Sequence, residues 1–288
     1  MGTTPAIVVI GATGFTGRLI AAELVGGEAP LVLAARDPTR LERLASELAH
    51  RETRVVDVTD PSSLERLIGV GDVVVNTAGP FAELGEPVIQ ACIDRRAHYL
   101  DTAGEQPFMR AMHQRYDHAA RRAGSAIVNA MAFEFALGDC AAAVLARGRA
   151  LPLRSLDVAY AWGGGASSRG TRRTIVGILG RRAWSLREGH WHRRPQGAGR
   201  RRLELASGRR LHAIAFGAGE VVTVPRHTPV DTVRGWAVTG ATLARLAPLM
   251  APSLPVVVPP LRPVLERLVA RAPDPTPAER EADAFTIR

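Results

Sequence analysis

Lysine is absent from this chain of 288 residues, so all 37 of the residues counted as Lys or Arg are arginines. Without lysine the chain cannot form a Schiff base with a carbonyl compound. It also lacks any Tyr-x-x-x-Lys pair, because the residues four positions after its three tyrosines are Ala103, Ala120 and Gly164. The proton relay of the short-chain dehydrogenases is therefore excluded.

Cysteine is scarce as well, with only Cys92 and Cys140 in the chain. Two isolated thiols fit neither a disulfide framework nor a zinc site, and we predict no metal site. Both lie in apolar helical patterns, which predicts that both are core residues. The N-terminus has no charged segment followed by an apolar one, which predicts a cytoplasmic protein without a signal sequence.

A long unbroken apolar run is also missing. Residues 243–270 are largely apolar, but Arg245, Arg262 and several prolines interrupt them. A bilayer-spanning helix needs about twenty apolar residues in succession, so we predict that this segment does not cross a membrane. Two interpretations stay open: a surface that faces lipid or a partner, or helices that pack on the core or form a homodimer contact. The prolines are Pro248, Pro252, Pro255, Pro259, Pro260 and Pro263.

Basic charge dominates the chain, with a formal net charge of +9, and it is concentrated between residues 169 and 210. Arginines interspersed with Trp184 and Trp191 could bind single-stranded nucleic acid by charge and stacking. Arginine replaces lysine throughout, however, and such a bias raises basicity without selecting a partner. We therefore predict no nucleic-acid partner, and expect some arginines to face an anionic substrate such as a carboxylate or an acyl carrier's phosphopantetheine.

The opening of the chain carries its most specific pattern. An apolar run at residues 7–10, typical of a buried parallel strand, leads into Gly11, Gly14 and Gly17 and then into helical spacing. The free N–H groups and positive dipole of a helix N-terminus attract phosphate. Gly11 permits the tight turn, Gly14 the approach of a pyrophosphate, and Gly17 close packing of helix on strand, which predicts a dinucleotide site.

The residue after the second strand indicates which dinucleotide binds. Residues 31–35 form an apolar run at the spacing of a βαβ unit, and Arg36 follows them. An acidic side chain there would bind the ribose 2′-hydroxyl of NAD, whereas a guanidinium can pair with the 2′-phosphate of NADP. The sequence favours NADP(H); the alternative is that Arg36 merely faces solvent.

Strands and helices alternate through the first half, which predicts a Rossmann-type α/β fold with a doubly wound parallel sheet. Further strands are predicted at residues 54–58, 72–76 and 125–130, and residues 97–105 are predicted to form a strand and its exit loop. Helices are predicted at 61–68, capped by Asp60 or Ser62, and at 88–94. Ligands bind at the carboxyl ends of such strands, so Asp57 and Val58 should lie near the adenine and residues 77–81 toward the nicotinamide. Asp57 fits equally well as a loop residue bonded to its own backbone. The predicted cofactor contacts are Gly11, Thr13, Gly14, Phe15, Thr16, Gly17, Arg36, Asp57, Val58, Ala78, Gly79, Pro80 and Phe81.

Four segments in the first half carry a family resemblance: residues 11–17, 34–36, 76–81 and 99–105. In that order they resemble the saccharopine dehydrogenase-like NADP-binding family, and within it the bacterial branch of trans-acting enoyl reductases. Looser similarity to that branch's second domain lies at residues 167–171 and 224–226. The resemblance implies an NADP(H)-dependent oxidoreductase. Since relatives continue past the strand predicted at the C-terminus, it also implies a shortened member of the family.

The second half predicts a smaller α+β domain, so that residues 1–130 bind NADP(H) and residues 131–288 carry the substrate site or a dimer contact. Its predicted elements are a helix at 140–146, a strand at 155–162, a loop at 163–171, a helix from Arg172 and a strand at 284–288. The loop fits a connection or substrate loop better than a second phosphate site. Short β-prone segments at 202–205, 211–216, 220–224 and 233–239 predict an antiparallel sheet, with the active site in the crevice between domains.

Hydride transfer to an imine, a carbonyl or an activated alkene also needs a proton donor. Four candidates in the fifth strand and its exit loop lie nearest the predicted nicotinamide end: His98, Tyr99, Asp101 and Glu105. Tyr99 and Asp101 share one face of that strand. We predict that Tyr99 or Asp101 is catalytic. Equally, Tyr99 can be a core aromatic residue and Asp101 a loop cap.

The predicted function is that of an NADP(H)-dependent reductase that acts on a small-molecule or acyl-chain substrate, namely an acyl or polyketide-like enoyl intermediate. Two alternatives stay open. One is a saccharopine-type amino-acid dehydrogenase, which would need cations for several substrate carboxylates. The other is a scaffold or sensor that binds NADP without catalysis.

Overall fold

The computed structural model of the chain describes residues 4–50, 52–162, 169–204, 208, 210–271, 273, 275–276, 278–279 and 285–287. The chain divides into two units, the first comprising Met1–Ala103 and Phe108–Ala132 and the second Gly104–Pro107 and Phe133–Arg288. The main boundary lies close to the predicted one. The second unit spans more residues than the first.

Six strands form the sheet of the first unit: β1 (Ile7–Ile10), β2 (Leu31–Ala35), β3 (Thr53–Val55), β4 (Val73–Asn76), β5 (His98–Asp101) and β6 (Ile127–Val128). They pair in parallel in the order β3-β2-β1-β4-β5-β6. This is the strand order of a dinucleotide-binding Rossmann fold, so the predicted fold class is confirmed. β3 ends earlier than predicted because the N–H of Asp60 bonds to the carbonyl of Asp57 in a turn, at 3.1 Å.

Five helices connect these strands: α1 (Phe15–Leu24), α2 (Pro38–Glu47), α3 (Pro61–Leu67), α4 (Phe81–Asp94) and α5 (Gln106–Ala123). α2 and α3 both begin with an aspartate cap followed by proline, because proline suits the first helical position and the carboxylate accepts a free backbone N–H. Asp60 is the cap of α3, which confirms one of the two predicted caps. α4 begins at Phe81, earlier than predicted.

The core of the first unit lies where β1 and β2 pack on α1 and α2. Continuous apolar strands and the inner faces of these helices exclude water there, which is the main favourable contribution to folding. The buried residues of this cluster are Val9, Ala12, Ala21, Leu31, Leu33, Ala35, Leu41 and Leu44. Cys92 of α4 is also buried, as predicted.

The second unit has its own sheet, formed by β7 (Leu156–Trp162), β8 (Arg182–Arg187), β9 (His190–Pro195), β10 (Arg200–Glu204), β11 (Arg210–Phe216), β12 (Val233–Thr239) and β13 (Phe285–Ile287). The main path runs β10-β11-β12-β7-β13, and β8 joins β12 to β9. β7 and β12 pair in parallel while the other pairs are antiparallel, so the predicted antiparallel sheet is mixed. A long connection separates β7 from β12, which permits the parallel pairing that a hairpin forbids.

Helices complete the second unit, beginning with α6 (Phe133–Ala146) and α7 (Arg169–Leu179). α6 starts before the predicted Cys140, and Cys140 is exposed, so the core prediction is wrong for that thiol. α7 starts at Arg169 instead of Arg172, and the predicted loop residues 163–168 lie outside the described part of the chain.

Residues 220–224 are a helix and not the predicted strand. They form α8 (Glu220–Thr223), which continues into a 3₁₀ turn at Val224–Arg226. Valine favours strands, but Val221 and Val224 are buried in a cluster with Val233 of β12. Burial in this cluster outweighs the weak local preference.

Two helices follow β12: α9 (Ala241–Met250) and, after a 3₁₀ turn, α10 (Leu254–Arg271). Pro252 lies in the 3₁₀ turn between the two helices, whereas the helices themselves contain Pro248 in α9 and Pro259, Pro260 and Pro263 in α10. By length and composition, the stretch Ala241–Arg271 could cross a membrane, with a mean hydropathy of 1.5 and 17% of its most apolar window buried. A single helix of this kind is weak evidence for a membrane span.

Candidate functional site

The turn after β1 is closed by backbone contacts that leave no room for side chains. Gly11 has a φ of +80°, and its N–H bonds to the carbonyl of Ala34 at the end of β2, at 2.9 Å. A Cβ on Gly11 would lie 2.8 Å from Oγ1 of Thr77. A Cβ on Gly17 would collide with the carbonyl oxygen of Gly11 and lie 2.8 Å from the same hydroxyl. Only glycine fits at these two positions.

The first turn of α1 begins at this loop. Gly14 is the cap residue and provides no side-chain acceptor for the first N–H groups of the helix. The positive end of the helix dipole is therefore free of a side-chain cap, which suits a phosphate oxygen. Thr13 and Phe15 are half-buried beside Gly14, and Thr16 is exposed. The loop at residues 11–17, here called the glycine cradle, therefore fits the pyrophosphate of a dinucleotide.

Charged residues follow the next two strands of the same sheet. Arg36 is exposed directly after β2, and Asp57 is exposed after β3, with Val58 buried beside it. The pKa of Asp57 is lowered, mainly because its carboxylate accepts the N–H and hydroxyl of Thr59, and further because Arg36 is near. The bonds to Thr59 match the loop interpretation of Asp57, and its predicted adenine contact stays a prediction.

Arg40 joins this group, although the sequence analysis did not single it out. Its guanidinium donates to the carbonyl oxygen of Thr13 in the glycine loop, at 3.0 Å. Its backbone N–H bonds to the carboxylate of Asp37, which caps α2. Arg40 follows Arg36 by four residues, and this closeness in sequence was the available indication that both arginines could face one anion.

The end of β4 is bound to the end of β1. The hydroxyl of Thr77 donates to the carbonyl of Ile10 at 2.9 Å, and the N–H of Ala78 bonds to the side chain of Asn76 at 3.0 Å. Gly79 and Pro80 are exposed at the entry to α4. This arrangement holds the predicted nicotinamide-side residues at the same sheet edge as the glycine loop.

Phe81 begins α4 and is buried. Its ring packs against the ring of Phe108 with centroids 6.2 Å apart. It therefore supports the start of α4 from inside the unit, and its predicted cofactor contact stays a prediction.

Tyr99 and Asp101 form a buried hydrogen-bonded network at the ends of β4, β5 and β6. The hydroxyl of Tyr99 donates to Asp101 at 2.9 Å and accepts from Asn76 at 3.3 Å. Asp101 also accepts from Asn129 and from two backbone N–H groups, those of Ala103 and Ala130. Burial raises the pKa of both Tyr99 and Asp101. The hydrogen bonds that the Asp101 carboxylate accepts act in the opposite direction on the pKa of Asp101, but burial outweighs them. Both side chains have an exposed fraction of 0%.

We expect Asp101→Ala to destabilise the protein by about 3 kcal/mol, because it leaves several buried donors without an acceptor. Urea unfolding measures this change. Asp94→Ala is the matched control, since Asp94 is exposed and accepts from Gln90 of the same helix. An equal effect of the two substitutions would contradict the buried role of Asp101.

Comparison with known proteins decides the family of the first unit. Residues 7–128 match the model of the saccharopine dehydrogenase NADP binding domain. The match covers nearly all of the first unit, which is therefore similar to this NADP-binding domain. The predicted resemblance is thereby confirmed, and so is NADP(H) as the cofactor of its nucleotide-binding domain.

Relatives of this NADP-binding domain agree with the match. An Arabidopsis thaliana protein named as a mitochondrial saccharopine dehydrogenase-like oxidoreductase is 37% identical over 144 residues, or 44% of this chain and 32% of its own. A Mycobacterium tuberculosis protein that carries the name of a trans-acting enoyl reductase is 35% identical over 139 residues, or 46% of this chain and 33% of its own. The match spans about a third of the length of these relatives.

A solved structure extends the likeness of fold beyond the NADP-binding domain. Saccharopine dehydrogenase (L-Glu forming) from Saccharomyces cerevisiae aligns with a TM-score of 0.56 and 14% identity, over 84% of this chain and 57% of its own. At this identity the likeness concerns the fold alone.

Proposed function

We propose that the protein is an NADP(H)-dependent oxidoreductase that transfers a hydride between the nicotinamide and a small-molecule substrate. The glycine cradle carries this proposal, because it admits a pyrophosphate and no Cβ. Arg36 follows the neighbouring strand, and Arg40 is bonded to the cradle itself. Two guanidinium groups suit a 2′-phosphate better than a free ribose hydroxyl.

The residues of the cradle have separate tasks in this proposal. NADPH supplies the hydride when it is bound. The N-terminus of α1 would hold the pyrophosphate, while Arg36 and Arg40 would hold the 2′-phosphate. Residues 77–81 would orient the nicotinamide end, since Thr77 ties the end of β4 to β1.

For the substrate we favour an acyl or polyketide-like intermediate with an activated carbon–carbon double bond. The support is the likeness to a mycobacterial protein named as an enoyl reductase, at 35% identity over 139 residues. The saccharopine-type dehydrogenase remains the second candidate, because the domain family carries that name. Oxidation of NADPH with enoyl thioesters, compared with oxidation with a 2-oxo acid plus an amino acid, separates the two. Tight NADPH binding without turnover of either substrate class would favour a scaffold or sensor.

Tyr99 or Asp101 as the proton donor stays a prediction within this proposal. The raised pKa of each group favours its protonated form, which a donor requires. Substrate must reach one of them for direct transfer. The matched substitution Tyr99→Phe keeps the ring and removes the hydroxyl, so a lowered kcat at unchanged NADPH affinity is the expected result for a donor.

We expect Arg36→Ala to weaken NADPH binding by about 10- to 100-fold and to leave NADH binding unchanged, because a charge-assisted bond to the 2′-phosphate is lost. Fluorescence titration with both nucleotides measures the change. Arg43→Ala is the control, since Arg43 is an exposed arginine of α2 whose ion-pair contact is with Glu47. Equal losses for NADPH and NADH would contradict the role of Arg36, and absent binding of both nucleotides to the wild type would overturn the proposed function.

A further inference from the structure

A second basic site lies in the second unit. Between β10, β11 and α9 there is a cavity of about 260 Å³ lined by Arg200, Arg201, Arg202, His212, Ala244 and Arg245. Arg202 and His212 are directly opposed in the pairing of β10 with β11. Because side chains alternate along a strand, Arg200 and Arg202 project from the same face, and α9 adds Arg245.

The arginines that line this cavity differ in whether a carboxylate neutralises them. Arg201 projects from the other face of β10 and is bound to Asp157 at 2.6 Å. Within the described part of the chain, no carboxylate pairs with Arg200, Arg202 or Arg245. The nearest acidic residue along β10 is Glu204, which pairs with Arg210 at 3.5 Å. Three guanidinium groups and one imidazole therefore share a cavity without a counter-charge from these residues.

We propose that this cavity is a binding site for the phosphate group of a second ligand. Guanidinium groups donate in a fixed fork that matches phosphate oxygens, and mutual repulsion of the cations falls when an anion lies between them. A tetrahedral phosphate accepts from several directions at once, as donors on β10, β11 and α9 require. A carboxylate is planar and carries one charge, so it would satisfy fewer of the donors.

Exposed apolar side chains next to the cavity indicate which kind of molecule would carry the phosphate. Leu243, Leu246 and Leu249 of α9 are exposed, the last at 78%. Apolar side chains next to a phosphate site fit the headgroup and acyl chains of an anionic lipid. A soluble phosphate ester offers the same phosphate chemistry without the acyl chains.

Titration of the full protein with inorganic phosphate at constant ionic strength tests the site, with acetate as the monocarboxylate comparison. We expect saturable phosphate binding, at least about tenfold tighter than acetate binding. Arg202→Gln and Arg245→Gln should each weaken it about tenfold. Arg182→Gln, at an exposed arginine of β8, is the control for net charge and should leave it unchanged.

Two further experiments distinguish this site from the glycine cradle and identify the molecule that carries the phosphate. Phosphate binding should persist with NADPH present and in Arg36→Ala, whereas its loss in either case would mean that phosphate binds in the cradle. Glycerol 3-phosphate and vesicles of phosphatidylglycerol or phosphatidylcholine then distinguish a soluble ester from a lipid headgroup. Leu249→Ser should weaken only vesicle binding. Equal losses in Arg182→Gln and Arg202→Gln, or no saturable binding, would overturn the proposal.

Discussion

Gly17→Ala is expected to reduce NADP(H) affinity by about a hundredfold or more and to destabilise the first unit by about 3 kcal/mol. The added Cβ would collide with the carbonyl oxygen of Gly11 and come within 2.8 Å of Oγ1 of Thr77. The first contact is with backbone, which cannot rotate away as a flexible side chain can. Relief of the collision must therefore separate α1 from the turn after β1 and displace the N–H groups that would hold the pyrophosphate.

The control for this substitution is Gly177→Ala in α7, where a Cβ meets no atom within 4 Å. Alanine inside a helix is favoured over glycine, so stability should stay constant or rise by up to about 1 kcal/mol. Nucleotide titration and urea unfolding of both variants measure the effects. Wild-type NADP(H) affinity in Gly17→Ala would show that the close approach of helix and turn is not required.

Glu220→Gln is expected to remove a large pH dependence of stability in the second unit. Burial raises the pKa of Glu220 to about 8, from an ordinary value of 4.5. The Tyr160 hydroxyl donates to Oε1, whereas Oε2 is buried and has no hydrogen-bond partner among the residues that the structure describes. A carboxyl group in this position is held in its neutral form because one charged oxygen would lack a donor.

The direction of the pH effect follows from proton binding. Between about pH 4.5 and 8 the folded protein keeps a proton on Glu220 that the unfolded chain has released, so the free energy of unfolding falls as pH rises. The loss approaches about 5 kcal/mol above pH 8, at about 1.4 kcal/mol per pKa unit. Glutamine keeps an acceptor for the Tyr160 hydroxyl and does not titrate, so the variant should lose this slope.

Urea unfolding at about pH 5 and about pH 8 measures the slope in wild type and variant. The control is Glu65→Gln, because Glu65 is exposed on α3 and its substitution should leave the slope unchanged. If Glu220→Gln and wild type lose stability in parallel as pH rises, Glu220 is ionised in the folded protein and the expected slope is wrong.

Patterns within short segments predicted much of the first unit correctly. Apolar runs marked β1, β2 and β4, and Asp60 before Pro61 marked the start of α3. Such features depend on backbone conformation and local hydrogen bonds, which neighbouring residues largely determine. Residues 220–224 show the limit of this reasoning, since their valines favour a strand but are buried in a helical turn.

The candidate site also contains some residues that the local sequence indicates and others that it does not. Gly11, Gly14, Gly17 and Arg36 could be recognised because a turn, a helix start and a strand end follow one another along the chain. The bond from Arg40 to Thr13 could not, because it joins the first turn of α2 to the glycine loop, which only the folded sheet brings together. The same holds for Asp101, whose partners come from the ends of both β5 and β6, up to 29 residues away in the chain.

The sequence by itself determined the glycine turn, the succession of parallel strands and the preference for a 2′-phosphate, because each rests on residues close together in the chain. The tertiary structure decided which polar groups are buried and which charges are left without a counter-charge. Glu220 meets Tyr160 across 60 residues. The arginines that have no carboxylate partner among the described residues converge from β10 and α9. Burial and charge density depend on every element packed around a group, so no local pattern encodes them.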